Sequence, residues 1–269
     1  MDRFLREVFD TVRVLDLALI LSVYLLILFA YSLPEGVQNL LVLDFSDPTV
    51  FALWSSAFVH QGFTHLSENL QAFTLSVFLV YLWFALAGCK RLFRYTFAGF
   101  LTVLPVSISL INLSVLNLGT IAGFSGIAAA FYGLIPFALF LYIHEQISEA
   151  VEPGYATAVF IAGLAVASAS ISGLVVGGFV LLFSGLLTVY YLRMIGLDDC
   201  RGVIRFLQRS SIEWFFVLFS VLLFLASPVM LFPEEIVRNG SLVNIFAHYL
   251  GMAFGFFGPV FHWQYRMKE

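Results

Sequence analysis

The sequence predicts an all-α polytopic membrane protein, and three observations carry that expectation. Of its 269 residues 61 % are hydrophobic and 11 % charged, against about 25 % charged in an ordinary soluble domain. Thirty-one phenylalanines and a mean hydropathy of +0.98 leave too little polar surface to cover a 30.1 kDa particle in water. The 13 Lys and Arg and 17 Asp and Glu fall in clusters, which cut the chain into uncharged runs sized for helices that cross a bilayer. The formal charge of −4 and the scattered cations offer no basic face, so no nucleic-acid partner is expected.

A spanning helix needs roughly 20 apolar residues at 1.5 Å rise each. Residues 17–34 form one such run and 69–89 a second. Residues 95–143 are too many for one span, and the polar stretch at 112–119, with Asn112, Ser114, Asn117 and Gly119, divides them. Residues 153–192 are again too many; Ser168, Ser170, Ser172 and Gly173 supply a break. Residues 214–233 and 239–265 complete a count of eight spans. The cations test that count. With the N-terminus inside, Arg3, Arg6, Arg13, Lys90, Arg91, Arg94, Arg193, Arg201, Arg205, Arg209, Arg266 and Lys268 share its side, and of the 13 only Arg238 lies opposite. A single crossing of 153–192 would push the arginines between 193 and 209 outside. Both termini are therefore expected to be cytoplasmic.

The first run is long and no small-x-small cleavage site follows Pro34, so it reads as a retained span rather than a signal peptide. Residues 35–64 are rich in Phe, Leu and Trp and read as an outer loop embedded in the membrane interface. The whole chain, 1–269, reads as a single transmembrane domain, with 155–192 an inserted helical hairpin. Cys89 and Cys200 have no disulfide or metal spacing and read as free thiols.

Polar groups inside a bilayer are costly, so their positions are informative. His65 and Asn69 lie four apart, on one helix face, at the outer start of the second span. Ser125 lies in G-F-S-G at the outer start of the fourth, and His248 a few residues into the last. The topology puts all four at one depth. Alone, a serine between glycines is a packing device and a membrane histidine a satisfied interior group. Together they supply what nucleophilic catalysis requires: a hydroxyl, a base within reach and donors for an oxyanion. Small residues favour the approach. Gly123 and Gly126 flank the serine; His248, Gly251, Gly255 and Gly258 fall within an arc of about 80° on the last helix. No metal or cofactor is called for: no H-E-x-x-H occurs, and Asp16 is the one acid within an apolar segment, so no aspartate pair is available. The sequons at Asn112 and Asn239 are near chance frequency; His144, Glu145 and His262 read as interfacial or structural.

Three stretches in this order resemble the rhomboid intramembrane serine proteases: H-Q-G-F-T-H-L-S-E-N from His60 to Asn69, G-F-S-G from Gly123 to Gly126, and A-H-x-x-G-x-x-x-G from Ala247 to Gly255. The resemblance covers about residues 14–145 and 213–262. It implies a rhomboid-like bundle of six core spans plus the extra hairpin, with Ser125 as nucleophile and His248 as general base. By the same resemblance His65, Asn69 and the Ser125 N–H would form the oxyanion hole, His60 would be structural, 35–64 would be the embedded loop and 233–242 a cap. Single-span membrane proteins within the lipid bilayer would be the substrates, cut on the extracytoplasmic side. The sequence also departs from the family. It has three spans, not one, between serine and histidine; 214–232 would be the gating helix and 155–192 the addition, with the reverse assignment open. Trp54 is followed by Ser55 rather than arginine, and Ala129 replaces a tyrosine, with Tyr132 nearby. Two rivals stay open: a catalytically silent rhomboid-like protein that binds membrane clients, and a transporter, which would place polar groups nearer the midplane.

Overall fold

A computed structural model describes residues 2–115, 119–232, 237–238, 241–242 and 244–266. The chain is an all-α polytopic membrane protein. Its helices are α1 (Arg3–Thr11), α2 (Val14–Ser32), α3 (Glu35–Leu41), α4 (Ala52–Ser55), α5 (Phe63–Leu86), α6 (Lys90–Val115), α7 (Ser125–Gln146), α8 (Ala156–Ser172), α9 (Leu174–Ile195), α10 (Leu197–Leu207), α11 (Ser211–Leu231) and α12 (Ile245–Arg266). Two antiparallel pairs of very short strands, Leu43–Asp44 with Thr120–Ile121 and Val237–Arg238 with Ser241–Leu242, tie loops together.

Among the described residues seven segments are long and apolar enough to cross a membrane: α2, α5, α6, α7, α8 with the turn before it, α9 and α11. The eighth expected span forms the 22-residue helix α12, which carries His248 and His262 and is less uniformly apolar. Central α7 is buried over 94 % of its apolar window, whereas α9 is buried over 11 % and turns its leucines and phenylalanines outward. A helix apolar all round is at home inside the bundle or against lipid, and these two occupy the two environments.

Backbone-to-backbone packing brings α7 and α12 together. A Cβ on Gly251 would lie 2.1 Å from the Gly126 carbonyl oxygen, one on Gly255 2.1 Å from that of Ala130, and one on Gly133 2.2 Å from that of Met252. Only hydrogen fits at these positions, so Gly251 and Gly255 of the small-residue face read from the sequence lie in the contact, whereas Gly258 has nothing within 4 Å. Phe73, Phe97, Phe100 and Phe131 fill the neighbouring space with edge-on rings at 5.2 to 5.7 Å.

Three expectations need correction. The turn placed at 112–119 is shorter, because α6 runs to Val115; Asn112 is a fully buried helical residue, not an exposed sequon, and residues 116–118 lie outside the described ones. The segment 35–64 is not a plain loop, since it holds α3, α4 and a 3-10 turn at Ser56–Phe58. Residues 197–207, counted only as a connection, form α10, with Asp198 and Asp199 in its first turn and Arg205 in its last, as the helix dipole favours. The hairpin itself is α8 and α9, turned at Gly173, whose φ of 89° suits glycine. The sequon at Asn239 and most of the expected cap, 233–242, lie outside the described residues.

At the end away from Ser125, α1 is clamped to the bundle. Phe4 packs fully buried against Trp83 and Phe216, and Arg3 reaches the buried Glu213. Glu213 also accepts from Tyr142 Oη at 2.7 Å. Nearby, Asp16 is fully buried; Arg94 Nε lies 2.6 Å from Oδ1 and Tyr81 Oη donates to Oδ2 at 3.0 Å.

Candidate functional site

The N-termini of α5, α7 and α12 meet at the opposite end, with the C-terminus of α11. Gly123, at φ 127°, turns the chain into α7; its N–H donates to the Ser56 carbonyl at 2.9 Å. A side chain there would strike His65, since a Cβ would lie 2.6 Å from His65 Cε1, 2.9 Å from its Nε2 and 3.6 Å from Asn69 Nδ2. Glycine is thus required both by conformation and by room. The same contacts place His65 and Asn69 against the backbone two residues before Ser125.

Ser125 is the first residue of α7 and partly buried. The first N–H groups of a helix have no intrahelical acceptor, so the Ser125 N–H can serve an incoming oxygen. His248 is buried, and its Nδ1 donates to the Leu231 carbonyl at 2.5 Å. That carbonyl is at the last residue of α11, where helical partners run out. With Nδ1 as donor, the neutral ring keeps Nε2 as a lone-pair acceptor, the form a general base needs. One residue after Ser125 and one before His248, a Cβ on Gly126 would sit 3.5 Å from the Ala247 carbonyl oxygen and 3.7 Å from its Cβ, so the two helices touch beside Ser125 and His248. Among the described residues no hydrogen bond joins Ser125 Oγ to His248.

Asn69 is buried and its Nδ2 donates to His60 Nε2 at 2.9 Å. The Phe124 N–H donates to the same nitrogen at 3.3 Å. Two donors on Nε2 require that it be unprotonated, and burial with the neighbouring His65 holds His60 down at about 3, so its ring is neutral. His60 is more than filler: it ties the start of α7 to Asn69 while leaving that amide a second N–H. His65 meets His60 edge-on, with ring centroids 5.2 Å apart.

Another element brings an aromatic ring to His248. Phe232 lies 6.1 Å from the His248 ring at 70°, and 4.3 Å from Tyr249. Tyr132, by contrast, is buried with its hydroxyl unpartnered among the described residues. Trp54, without its arginine, donates from Nε1 to the Leu101 carbonyl at 2.7 Å. Pro105 stands four residues later and cannot supply the helical N–H, so the indole repairs the ladder and pins α4 to α6.

Sequence reading missed two contributors. Leu231 acts through its backbone, which no side-chain pattern reveals. Asn244 caps α12 by accepting from the Ala247 N–H at 2.9 Å, and its Nδ2 donates to Asn112 Oδ1 at 2.9 Å. An asparagine ahead of an apolar helix was the available signal for a cap. Away from the site, His144 meets Trp263 edge-on at 5.7 Å, His262 is exposed, and Cys89 and Cys200 are free thiols. No group of three or more His, Cys, Asp or Glu among the described residues is placed to hold a metal.

Comparison of the chain with protein-family models, with characterised proteins and with solved structures finds no match to any of them.

Proposed function

We propose that this chain is an intramembrane serine endopeptidase of rhomboid type, with Ser125 as nucleophile and His248 as general base. The observation that carries the reading is the His248 ring, held at Nδ1 by the end of α11 on a helix that touches α7 one residue from Ser125. In this reading α12 is an eighth span, the termini are cytoplasmic, and the site opens on the extracytoplasmic side. The substrates are single-span membrane proteins.

A bound segment would present an unwound stretch, because a helix shields its carbonyls by internal hydrogen bonds. Ser125 Oγ attacks the carbonyl carbon while His248 Nε2 takes the hydroxyl proton, then returns it to the leaving amine. The tetrahedral oxyanion is received by the Ser125 N–H, the spare Asn69 N–H and His65; loss of one such donor typically costs about 10² to 10³ in rate. Water then hydrolyses the acyl-enzyme. Gly123, Gly126, Gly251 and Gly255 serve the close packing.

The absence of a Ser125 to His248 hydrogen bond favours a second reading, a client-binding protein that does not cut. Cleavage of a tagged single-span reporter in lipid separates the two. The protease reading expects wild-type cleavage and silence in folded Ser125→Ala and His248→Ala; equal behaviour of all three supports the second.

A further inference from the structure

The proposed chemistry leaves α8 and α9 without a role, yet they reach the element that orients the base. Phe160 of α8 is fully buried between α11 and α12. Its ring stacks on Phe256 of α12 at 4.2 Å and 10°, and on Phe224 of α11 at 6.1 Å and 27°. One turn further along α8, a Cβ on Gly163 would lie 2.6 Å from Phe224 Cε1 and Cζ, so glycine makes room for that ring. Ser184 of α9 donates to the Ala158 carbonyl at 2.8 Å and ties the second helix of the pair to the first.

The stack lies two turns from the catalytic end. From Phe224 to Leu231 the rise is about 10.5 Å, and from Phe256 to His248 about 12 Å, at 1.5 Å per residue. Between the stack and Leu231, Pro228 cannot donate to the Phe224 carbonyl, and Ser227 Oγ takes that place at 2.8 Å; with the helix so repaired, a change in the spacing of α11 and α12 at the stack would move the Leu231 carbonyl relative to His248 Nδ1. Close-packed interiors transmit such shifts instead of absorbing them. Other contacts of His248 do not hold Nδ1: Phe232 meets the ring edge-on, and among the described residues Leu231 is its hydrogen-bond partner.

We propose that α8 and α9 form a brace that sets the spacing of α11 and α12 and thereby holds His248 in its Nδ1–H tautomer, with Phe160 and Gly163 as positioning residues. The catalytic meaning rests on the protease reading; the geometric claim does not. A transmembrane substrate would then have to enter without prising α11 from the brace, or the base would lose its orientation.

The test is nitrogen NMR of the five histidines, ¹⁵N-labelled, in the full chain in lipid at about pH 8, with His248 assigned by its loss in His248→Gln, alongside reporter kinetics. Wild type should show His248 protonated at Nδ1 alone. Phe160→Ala and Gly163→Ala should show mixed tautomers and a kcat lowered about 10-fold or more with KM changed less than about 2-fold. Phe160→Leu should recover part of both, and Phe183→Ala, on an outward-facing position of α9, neither. Wild-type-like His248 signals in Gly163→Ala and Phe160→Ala would overturn the brace; if Phe160→Ala does not fold, Gly163→Ala and Phe160→Leu decide. Tautomer mixing in the variants of a wild type that cuts no reporter would keep the brace and remove the protease reading.

Discussion

At the end of the bundle away from Ser125, Asp16 and Glu213 are fully buried, and each carboxylate oxygen has a partner. Arg94 and Tyr81 serve Asp16; Arg3 and Tyr142 serve Glu213. At the other end the polar groups are only partly engaged. His248 uses Nδ1, His60 uses Nε2, and among the described residues neither Ser125 Oγ nor His65 makes a hydrogen bond. Buried polar groups are normally satisfied, so spare capacity costs stability and is expected where a ligand will supply the missing partner. One end holds the bundle through paired charges, with Arg94 Nη2 as its one spare buried donor among the four groups named there; the other, in the proposed reading, is left open to receive a substrate.

The sharpest way to break this contrast is to exchange the roles of the two ends. Ser125→Ala and His248→Ala should each lower turnover on the order of 10⁴-fold or more, with the thermal stability of Ser125→Ala within about 1 kcal/mol of wild type. Asp16→Asn should do the reverse. It should cost roughly 2 kcal/mol in denaturant unfolding, less than a fully enclosed pair because Arg94 is 30 % exposed, with kcat per folded molecule unchanged. If Asp16→Asn abolished turnover in folded protein, the division between the ends would fail.

Smaller effects sharpen the packing side. Gly255→Ala sets a methyl 2.1 Å from the Ala130 oxygen and should destabilise by about 1 to 3 kcal/mol, read as a lowered Tm. Gly258→Ala, with nothing within 4 Å, should be neutral or slightly stabilising, although both glycines lie on the same sequence arc. Trp54→Phe leaves the Leu101 carbonyl unpaired and should cost about 1 to 2 kcal/mol, with turnover largely kept.

Much of this was legible because charges mark helix ends in a membrane chain. The runs at 17–34 and 69–89 correspond to α2 and α5, and the break near Gly173 to the turn of the hairpin. The contact of α7 with α12 was legible because glycine and alanine recur at helical spacing. Asn112 misled, since an asparagine in an apolar run signals a turn until its partner Asn244, far along the chain, is known. The partner of His248 was hidden for a different reason: any residue at Leu231 would offer the same carbonyl. The Asp16 and Glu213 networks were invisible as well, because Tyr81 and Tyr142 read as ordinary apolar helix residues until folding points them at a carboxylate.

The central claim is that Ser125 is a nucleophile activated by His248. Its most direct test is labelling of the folded, lipid-embedded protein with a fluorophosphonate, followed by peptide mass mapping. The account predicts an adduct on Ser125 that is absent from Ser125→Ala and sharply reduced in His248→Ala. No adduct on folded wild type, or equal labelling of wild type and His248→Ala, would contradict it.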